Sequence, residues 1–356
     1  MNLDDLDGLR ATDAQNFLSD VNGLPDQIAQ GWTLAESLSL PDGWRDVQQV
    51  VMAGMGGSAM AGALAQAYAA GASRVPIVAL PSEHLPAWVG PSTVVIANSY
   101  SGETEETLAA TQAALARGAR LVAVTRGGRL AALAEQAAQP VWRFDHRGPS
   151  GVALGAACAL TFGILAQLGL IPDPSAELAG AVAALRAQQH HFVAETPVTA
   201  NPAKRMAGQF MDRIPLICGA GLLAPVARHW KNQINTVAKA VALCDELPEM
   251  GHNSVAGTLY PERLVGKILA LFLRSSFELP RQARRAEITR EIFMTTGFNT
   301  DSVDAAGPSR LAQLLTSLHY GDYVAFYLAI CYGVDPSPIP QMDYLREQLG
   351  PPSAVV

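Results

Sequence analysis

The clearest indication of the fold lies in Val50–Gly62, VVMAGMGGSAMAG. It begins with apolar residues, passes through Gly54, Gly56 and Gly57, and continues into small residues that suit a helix. This order predicts a buried strand, a tight glycine turn and the N-terminus of a helix. Because glycines let backbone N–H groups approach a ligand and the helix dipole favours negative charge, we expect an anion to bind at this corner.

A second stretch, Ala97–Thr107 (ANSYSGETEET), supplies hydroxyl groups to the same corner. It follows an apolar run and places Ser99, Ser101 and Thr104 around one glycine. Backbone amides from one turn and hydroxyls from its neighbour are donors matched to the oxygens of a phosphate monoester. Simple capping of the following helix is the alternative role for these side chains.

Strands and alanine-rich helices alternate from about residue 50 to residue 144, which predicts a parallel sheet covered on both faces. The expected strands are Val50–Ala53, Val75–Leu80, Thr93–Ala97, Leu121–Thr125 and Val141–Phe144. The strand–glycine–helix opening returns at Ile214–Cys218, which Gly219 follows. We therefore predict an α/β fold class with two doubly wound parallel-sheet lobes and flanking helices. The expected division is 1–45 as a helical lead-in, 46–195 as the first domain and 196–350 as the second.

The composition limits the possible partners. The chain has 356 residues, of which 49% are hydrophobic and 16% charged, and its formal net charge is −7. With no long basic run, a nucleic-acid partner is not expected. The four cysteines are scattered without a CxxC pair, so neither a metal site nor a disulfide framework is predicted. The acidic N-terminus lacks the apolar core of a signal peptide, and no stretch is apolar enough to span a membrane. We expect a cytoplasmic protein that needs no cofactor.

A dinucleotide site is a weaker alternative for the first glycine turn. Residues 54–59 satisfy the pattern GxGxxG/A. That fold also calls for an acidic residue about 20 positions further on. The nearest candidate, Glu83, lies beyond a proline and 27 residues after Gly56.

Together these motifs resemble a known family. GMGGSAMAG, SYSGETEET and TRGGRL (Thr125–Leu130) resemble the sugar-isomerase, or SIS, fold. Three stretches of the second half are similar to the bifunctional phosphoglucose/phosphomannose isomerases: His229–Lys239, Asp245–Gly257 and Gly321–Ile339. The resemblance covers about residues 15 to 350 and implies tandem sugar-isomerase domains in a homodimer. It also implies metal-independent interconversion of glucose 6-phosphate, or mannose 6-phosphate, with fructose 6-phosphate through a cis-enediol.

The resemblance implies specific site residues. The phosphate would be held by Gly56, Gly57, Ser58, Ser99, Ser101 and Thr104. His252, within GHNS, matches the family's ring-opening histidine, although a surface or capping role is the alternative. Three other positions depart from the pattern. Thr236 stands where the family has its glutamate base, Gly151 at its arginine position and Arg346 at its C-terminal lysine position.

These departures leave two hypotheses open. A threonine hydroxyl has no ionised form near neutral pH, so Thr236 cannot remove a carbon-bound proton. Another carboxylate could replace the base, with Glu249 placed in the catalytic set beside His252 and Arg346, and with Glu246 and Glu103 as further candidates. Alternatively, the protein is a non-catalytic regulator that binds sugar phosphates.

Overall fold

The computed structural model describes residues 2–145 and 153–350, so the predicted arginine position, Gly151, lies outside the described residues. The strands are β1 (Gln49–Ala53), β2 (Ile77–Leu80), β3 (Thr93–Ser99), β4 (Arg120–Thr125), β5 (Val141–Arg143), β6 (Ile214–Ala220), β7 (Leu243–Leu247), β8 (Ile268–Arg274) and β9 (Asn299–Asp304). The helices are α1 (Leu6–Thr12), α2 (Phe17–Asn22), α3 (Leu24–Ser37), α4 (Gly56–Ala69), α5 (Glu105–Ala116), α6 (Gly128–Gln136), α7 (Leu154–Gln167), α8 (Ser175–Gln189), α9 (Pro202–Phe210), α10 (Ala224–Thr236), α11 (Glu262–Val265), α12 (Pro280–Thr295), α13 (Arg310–Tyr332) and α14 (Pro340–Leu349).

The chain divides into two compact units, each built on its own sheet. The first-sheet unit comprises residues 23–179 with 339–350, and the second-sheet unit comprises residues 2–22 with 180–338. These bounds differ from the predicted division, because α1 and α2 belong to the second-sheet unit and α14 to the first-sheet unit.

The first sheet has the order β2-β1-β3-β4-β5, and every neighbouring pair is parallel. The central strand β3 is buried along its whole length, as expected for a strand covered on both faces. One face packs against α5 and α6 through Val95, Ala97 and Leu121, with Leu108 and Leu130 contributed by the helices. The α/β prediction is therefore confirmed for this half of the chain.

The second sheet repeats this topology with the order β7-β6-β8-β9, again wholly parallel. Its fourth strand, β9, was absent from our sequence expectation because NTDSVD has neither an apolar run nor an apolar alternation. The edge strand β7, at Leu243–Leu247, includes the charged residues Asp245 and Glu246. The buried helix α13 packs against α9 and α10 beside this sheet.

No helix in the described part of the chain is long and apolar enough to cross a bilayer.

Candidate functional site

The two predicted loops meet at the carboxyl edge of the first sheet. In the order β2-β1-β3-β4, the connections that leave β1 and β3 run in opposite directions, so β1 and β3 flank the topological switch point. Ligands of open parallel sheets bind in the crevice outside the strand ends at such a point. The glycine turn follows β1, and the hydroxyl loop follows β3.

The glycine turn brings its backbone against β3 and opens a helix without a side-chain cap. A Cβ on Gly54 would lie 2.7 Å from the backbone oxygen of Asn98, so only glycine fits there. Gly56, with φ +54°, begins α4, and the preceding Met55 offers no capping side chain. The first N–H groups of α4 therefore face the corner, where the helix dipole attracts an anion.

The hydroxyl loop is held by its own side chains. Ser99 is buried, its Oγ lies 2.8 Å from Thr104 Oγ1, and it accepts a hydrogen bond of 3.1 Å from the Gly102 N–H. Ser101 is exposed, and its Oγ accepts from the Glu103 N–H at 3.1 Å. Ser99 thus shapes the loop and orients Thr104, whereas the Ser101 hydroxyl keeps its proton for another acceptor.

The third loop, TRGGRL, follows β4 and holds the hydroxyl loop in place through hydrogen bonds. The Leu130 N–H donates to the Gly102 carbonyl at 3.0 Å. Glu103 accepts from Arg129 twice, from Nε at 2.8 Å and from the backbone N–H at 2.9 Å. These hydrogen bonds lower the pKa of the Glu103 carboxyl. Glu103 therefore precedes α5 and links two loops.

At the equivalent corner of the second sheet, the loop after β8 is held by hydrogen bonds to side chains. Ser275 follows β8 as Tyr100 follows β3. Its N–H donates to Glu278 Oε1 at 3.1 Å, and its hydroxyl donates to Gln313 Oε1 at 2.7 Å. Burial raises the pKa of the Glu278 carboxyl. Side chains of the second-sheet unit thus accept both hydrogen bonds that Ser275 donates.

The predicted proton-transfer residues lie mainly on the second-sheet unit. Glu249 and His252 begin and end one 3-10 turn after β7, and both side chains are exposed. Glu249 Oε1 accepts from Asn253 Nδ2 at 3.0 Å. Thr236 ends α10, where its hydroxyl donates to the Asn232 carbonyl at 2.8 Å, so the helix itself satisfies this side chain.

The other candidate side chains are held by ion pairs. Glu246 accepts from Arg228 at 2.6 Å in an ion pair. Arg346 lies on α14 in the first-sheet unit, where it contacts Asp343 at 3.1 Å. Across residues 2–145 and 153–350, no group of three or more metal-binding side chains lies close enough together to hold an ion.

Sequence reasoning missed one residue of the corner, Asn98. Its side-chain amide is buried at the end of β3 and makes no hydrogen bond within the described structure. The available signal was a polar amide directly after the apolar run TVVIA.

Comparison with known proteins now decides the family. A bifunctional phosphoglucose/phosphomannose isomerase from Caldicellulosiruptor bescii is 33% identical over 330 residues, which cover 92% of this chain and 97% of that relative. The chain belongs to this family. A bifunctional phosphoglucose/phosphomannose isomerase from Aquifex aeolicus is 29% identical, over 86% of this chain and 94% of the relative. The family predicted from the motifs is thus confirmed.

Further comparisons agree with this family and with its fold. The model of the bacterial phospho-glucose isomerase C-terminal SIS domain matches residues 199–349. A glucose-6-phosphate isomerase like protein from Thermus thermophilus superposes with a TM-score of 0.62 at 22% identity, over 95% of this chain and 98% of the other. A hypothetical protein from the same organism gives a TM-score of 0.71 at 17% identity, over 97% and 94%. These structural likenesses show that this member of the bifunctional phosphoglucose/phosphomannose isomerase family has the SIS fold.

Proposed function

We propose that this chain is an aldose–ketose isomerase of hexose 6-phosphates, which interconverts glucose 6-phosphate, or mannose 6-phosphate, with fructose 6-phosphate. Its membership of a family whose relatives are named phosphoglucose/phosphomannose isomerases supports the reaction. The observation that carries the proposal is the outward-facing corner of the first sheet, where amides at Gly56 and Gly57 and hydroxyls at Ser58, Ser101 and Thr104 suit one phosphate group.

The proposed chemistry requires a cis-enediol and no metal. A base removes the proton at C2 of the aldose and returns it at C1, while a second group moves a proton to and from the ring oxygen. We assign the ring-opening step to His252 and the carbon-bound proton to Glu249, whose exposed side chains share one turn. Arg346 would stabilise the negative charge on the enediol oxygens, a role that needs a permanent cation.

The second candidate function is a non-catalytic sugar-phosphate regulator, and Thr236 favours it. At the position of the family's glutamate, Thr236 donates its hydroxyl to the Asn232 carbonyl of its own helix. Loss of a general base costs about 10²–10⁴-fold in rate, enough to leave binding without useful turnover.

Hydrogen–deuterium exchange separates the two functions. The protein is incubated with fructose 6-phosphate in deuterium oxide, and NMR follows deuterium at C1 and C2. The isomerase proposal predicts exchange that falls about 10²–10⁴-fold in Glu249→Gln. Full exchange in that variant would remove Glu249 from the reaction. No exchange in the wild type, together with saturable thermal stabilisation by fructose 6-phosphate, would establish the regulator instead.

We also infer that the protein is a cytoplasmic homodimer with no nucleic-acid or membrane partner. The segment 241–294 exposes large apolar side chains: Val241, Leu243, Leu259, Tyr260, Leu264, Phe277, Leu279, Ile288 and Met294. Exposed apolar surface of this kind marks protein interfaces. The four cysteines carry free thiols, which suits a reducing compartment. Light scattering with size-exclusion chromatography should give twice the chain mass of 37.6 kDa, and a monomer at micromolar concentration would contradict the dimer.

A further inference from the structure

Asn98 is a buried polar residue that lies beside the proposed phosphate corner. It is the penultimate residue of β3 and only 4% exposed. The last parallel pair between β1 and β3 joins Ala53 to Ala97, so Asn98 is the first β3 residue beyond β1. The close approach of Gly54 to its backbone oxygen places the glycine turn directly alongside.

Neither polar atom of the Asn98 side-chain amide has a hydrogen-bond partner in the described part of the chain. Both Nδ2 and Oδ1 are shielded from solvent, and neither contacts a polar partner among the described residues. A buried polar group without a partner destabilises the fold, because it loses its hydrogen bonds to water on burial and gains none in return. A buried amide without a partner does not stabilise the ligand-free protein, so we look for its role in ligand binding.

The sheet geometry directs this amide towards the start of α4. A Cβ on Gly62 of α4 would lie 3.0 Å from the Met52 side chain, so Met52 points to the α4 face. Met52 pairs with Ile96, and side chains alternate along a strand, so Asn98 shares that face. It lies at the carboxyl end of the strand, where the uncapped N-terminus of α4 begins.

We propose that Asn98 is a specificity residue whose side-chain amide hydrogen-bonds a sugar hydroxyl of the bound phosphate ester; this proposal rests on the proposed function. The amide presents one donor atom and one acceptor atom, both without partners. A phosphate dianion offers acceptors only and cannot satisfy Oδ1. A sugar hydroxyl can both donate and accept a hydrogen bond. One hydroxyl can therefore pair with either Nδ2 or Oδ1, and two neighbouring hydroxyls can pair with both.

Access to the amide requires a small movement of the corner. Because both amide atoms are shielded in this structure, a hydroxyl reaches them only after the glycine turn shifts. Gly56 occupies a positive φ of +54°, and no atom of residues 2–145 or 153–350 lies within 4 Å of the Cβ it would carry. The turn therefore has both backbone freedom and open space. The amide pairs with the sugar when that shift occurs, which couples recognition of the hydroxyl to binding of the phosphate.

The experiment compares two probes, fructose 6-phosphate and inorganic phosphate, by calorimetric titration of the full chain. Asn98→Leu, which removes both polar atoms, should raise the Kd for fructose 6-phosphate about tenfold and leave the Kd for inorganic phosphate unchanged. Its melting temperature should not fall, because an unsatisfied amide has been removed. Asn98→Ala should give the same affinity pattern if leucine does not fit.

Two comparison variants make the result decisive. Ser101→Ala should weaken both probes, and Ser317→Ala, which removes another buried hydroxyl without a partner, should weaken neither. Unchanged affinity for fructose 6-phosphate in both Asn98 variants would overturn the role of Asn98 while the proposed function stands. An equal loss for both probes would also overturn it, because it would mean a distorted phosphate site. A wild-type protein that binds neither probe would overturn the proposed function together with this one.

Discussion

Replacement of Gly102 by alanine tests whether the contact between the second and third loops shapes the phosphate site. Gly102 has a φ of +72°, and its added Cβ would lie 1.9 Å from the Gly127 carbonyl oxygen. An ordinary carbon–oxygen contact is about 3.3 Å, so the two loops must separate by roughly 1.4 Å. That movement would break the hydrogen bond from the Leu130 N–H to the Gly102 carbonyl.

Gly118→Ala is the matched control for backbone strain. Gly118 also has a positive φ, +68°, but its added Cβ would meet only Pro91 Cγ, at 3.7 Å. It lies between α5 and β4, at the opposite edge of the sheet from the corner. Both variants carry the left-handed strain of about 1–2 kcal/mol, and only Gly102→Ala adds the clash.

The assays are urea unfolding and titration with fructose 6-phosphate. Gly118→Ala should lose about 1–2 kcal/mol of stability and keep wild-type affinity. Gly102→Ala should lose more stability and bind fructose 6-phosphate at least about tenfold more weakly, since each displaced hydrogen bond to a charged group is worth about 1.5–3 kcal/mol. Wild-type affinity in Gly102→Ala would contradict this role of the loop contact, because the site would then tolerate a displaced hydroxyl loop.

Three further predictions concern packing, pH and catalysis. Gly321→Ala should destabilise the protein by about 1–3 kcal/mol in urea unfolding, because its Cβ would lie 2.3 Å from Trp230 Nε1. Gly208→Ala is the control: no described atom lies within 4 Å of its added Cβ, and alanine favours a helix more than glycine does, so the free energy of unfolding should stay the same or rise. Glu103→Gln should lower the melting temperature at neutral pH. Because the pKa of Glu103 is lowered in the folded state, its carboxylate stabilises the fold above the unfolded-state pKa, and this stabilisation is lost as pH falls through the folded-state pKa. A difference in melting temperature between variant and wild type that persists in acid would contradict the assignment. Thr236→Glu should increase deuterium exchange into fructose 6-phosphate if the pocket keeps the family's shape, and an unchanged rate would show that a restored carboxylate is not enough.

The sequence predicted the parts of the fold that depend on apolar runs and glycine turns. The first sheet follows from VVMA, TVVIA and LVAVT, each of which is too apolar to lie on a surface. The polar strand β9 was missed because Leu269–Arg274 of β8 hold it in register, and pairing with a distant segment leaves no local pattern. For the same reason, the edge strand β7 could not be placed from the sequence: it contains charged residues and depends on pairing with β6.

The candidate site was predictable in its residue types and not in its internal hydrogen bonds. The six predicted phosphate residues remain a prediction, but the structure separates their environments. Ser99 is buried and bonded within its loop, whereas Ser101 is exposed. The link from Glu103 to Arg129 spans 26 positions and depends on the approach of two loops. The burial of Asn98 depends likewise on how α4 covers the sheet, which residue order alone does not specify.

A crystal structure of the protein with fructose 6-phosphate would show directly whether the corner of the first sheet binds the phosphate. We expect the phosphate to lie within about 3.2 Å of the Gly57 N–H and of the Ser101 and Thr104 hydroxyls, at the carboxyl edge of the first sheet. A phosphate bound elsewhere on the chain, with this corner unoccupied, would contradict this expectation.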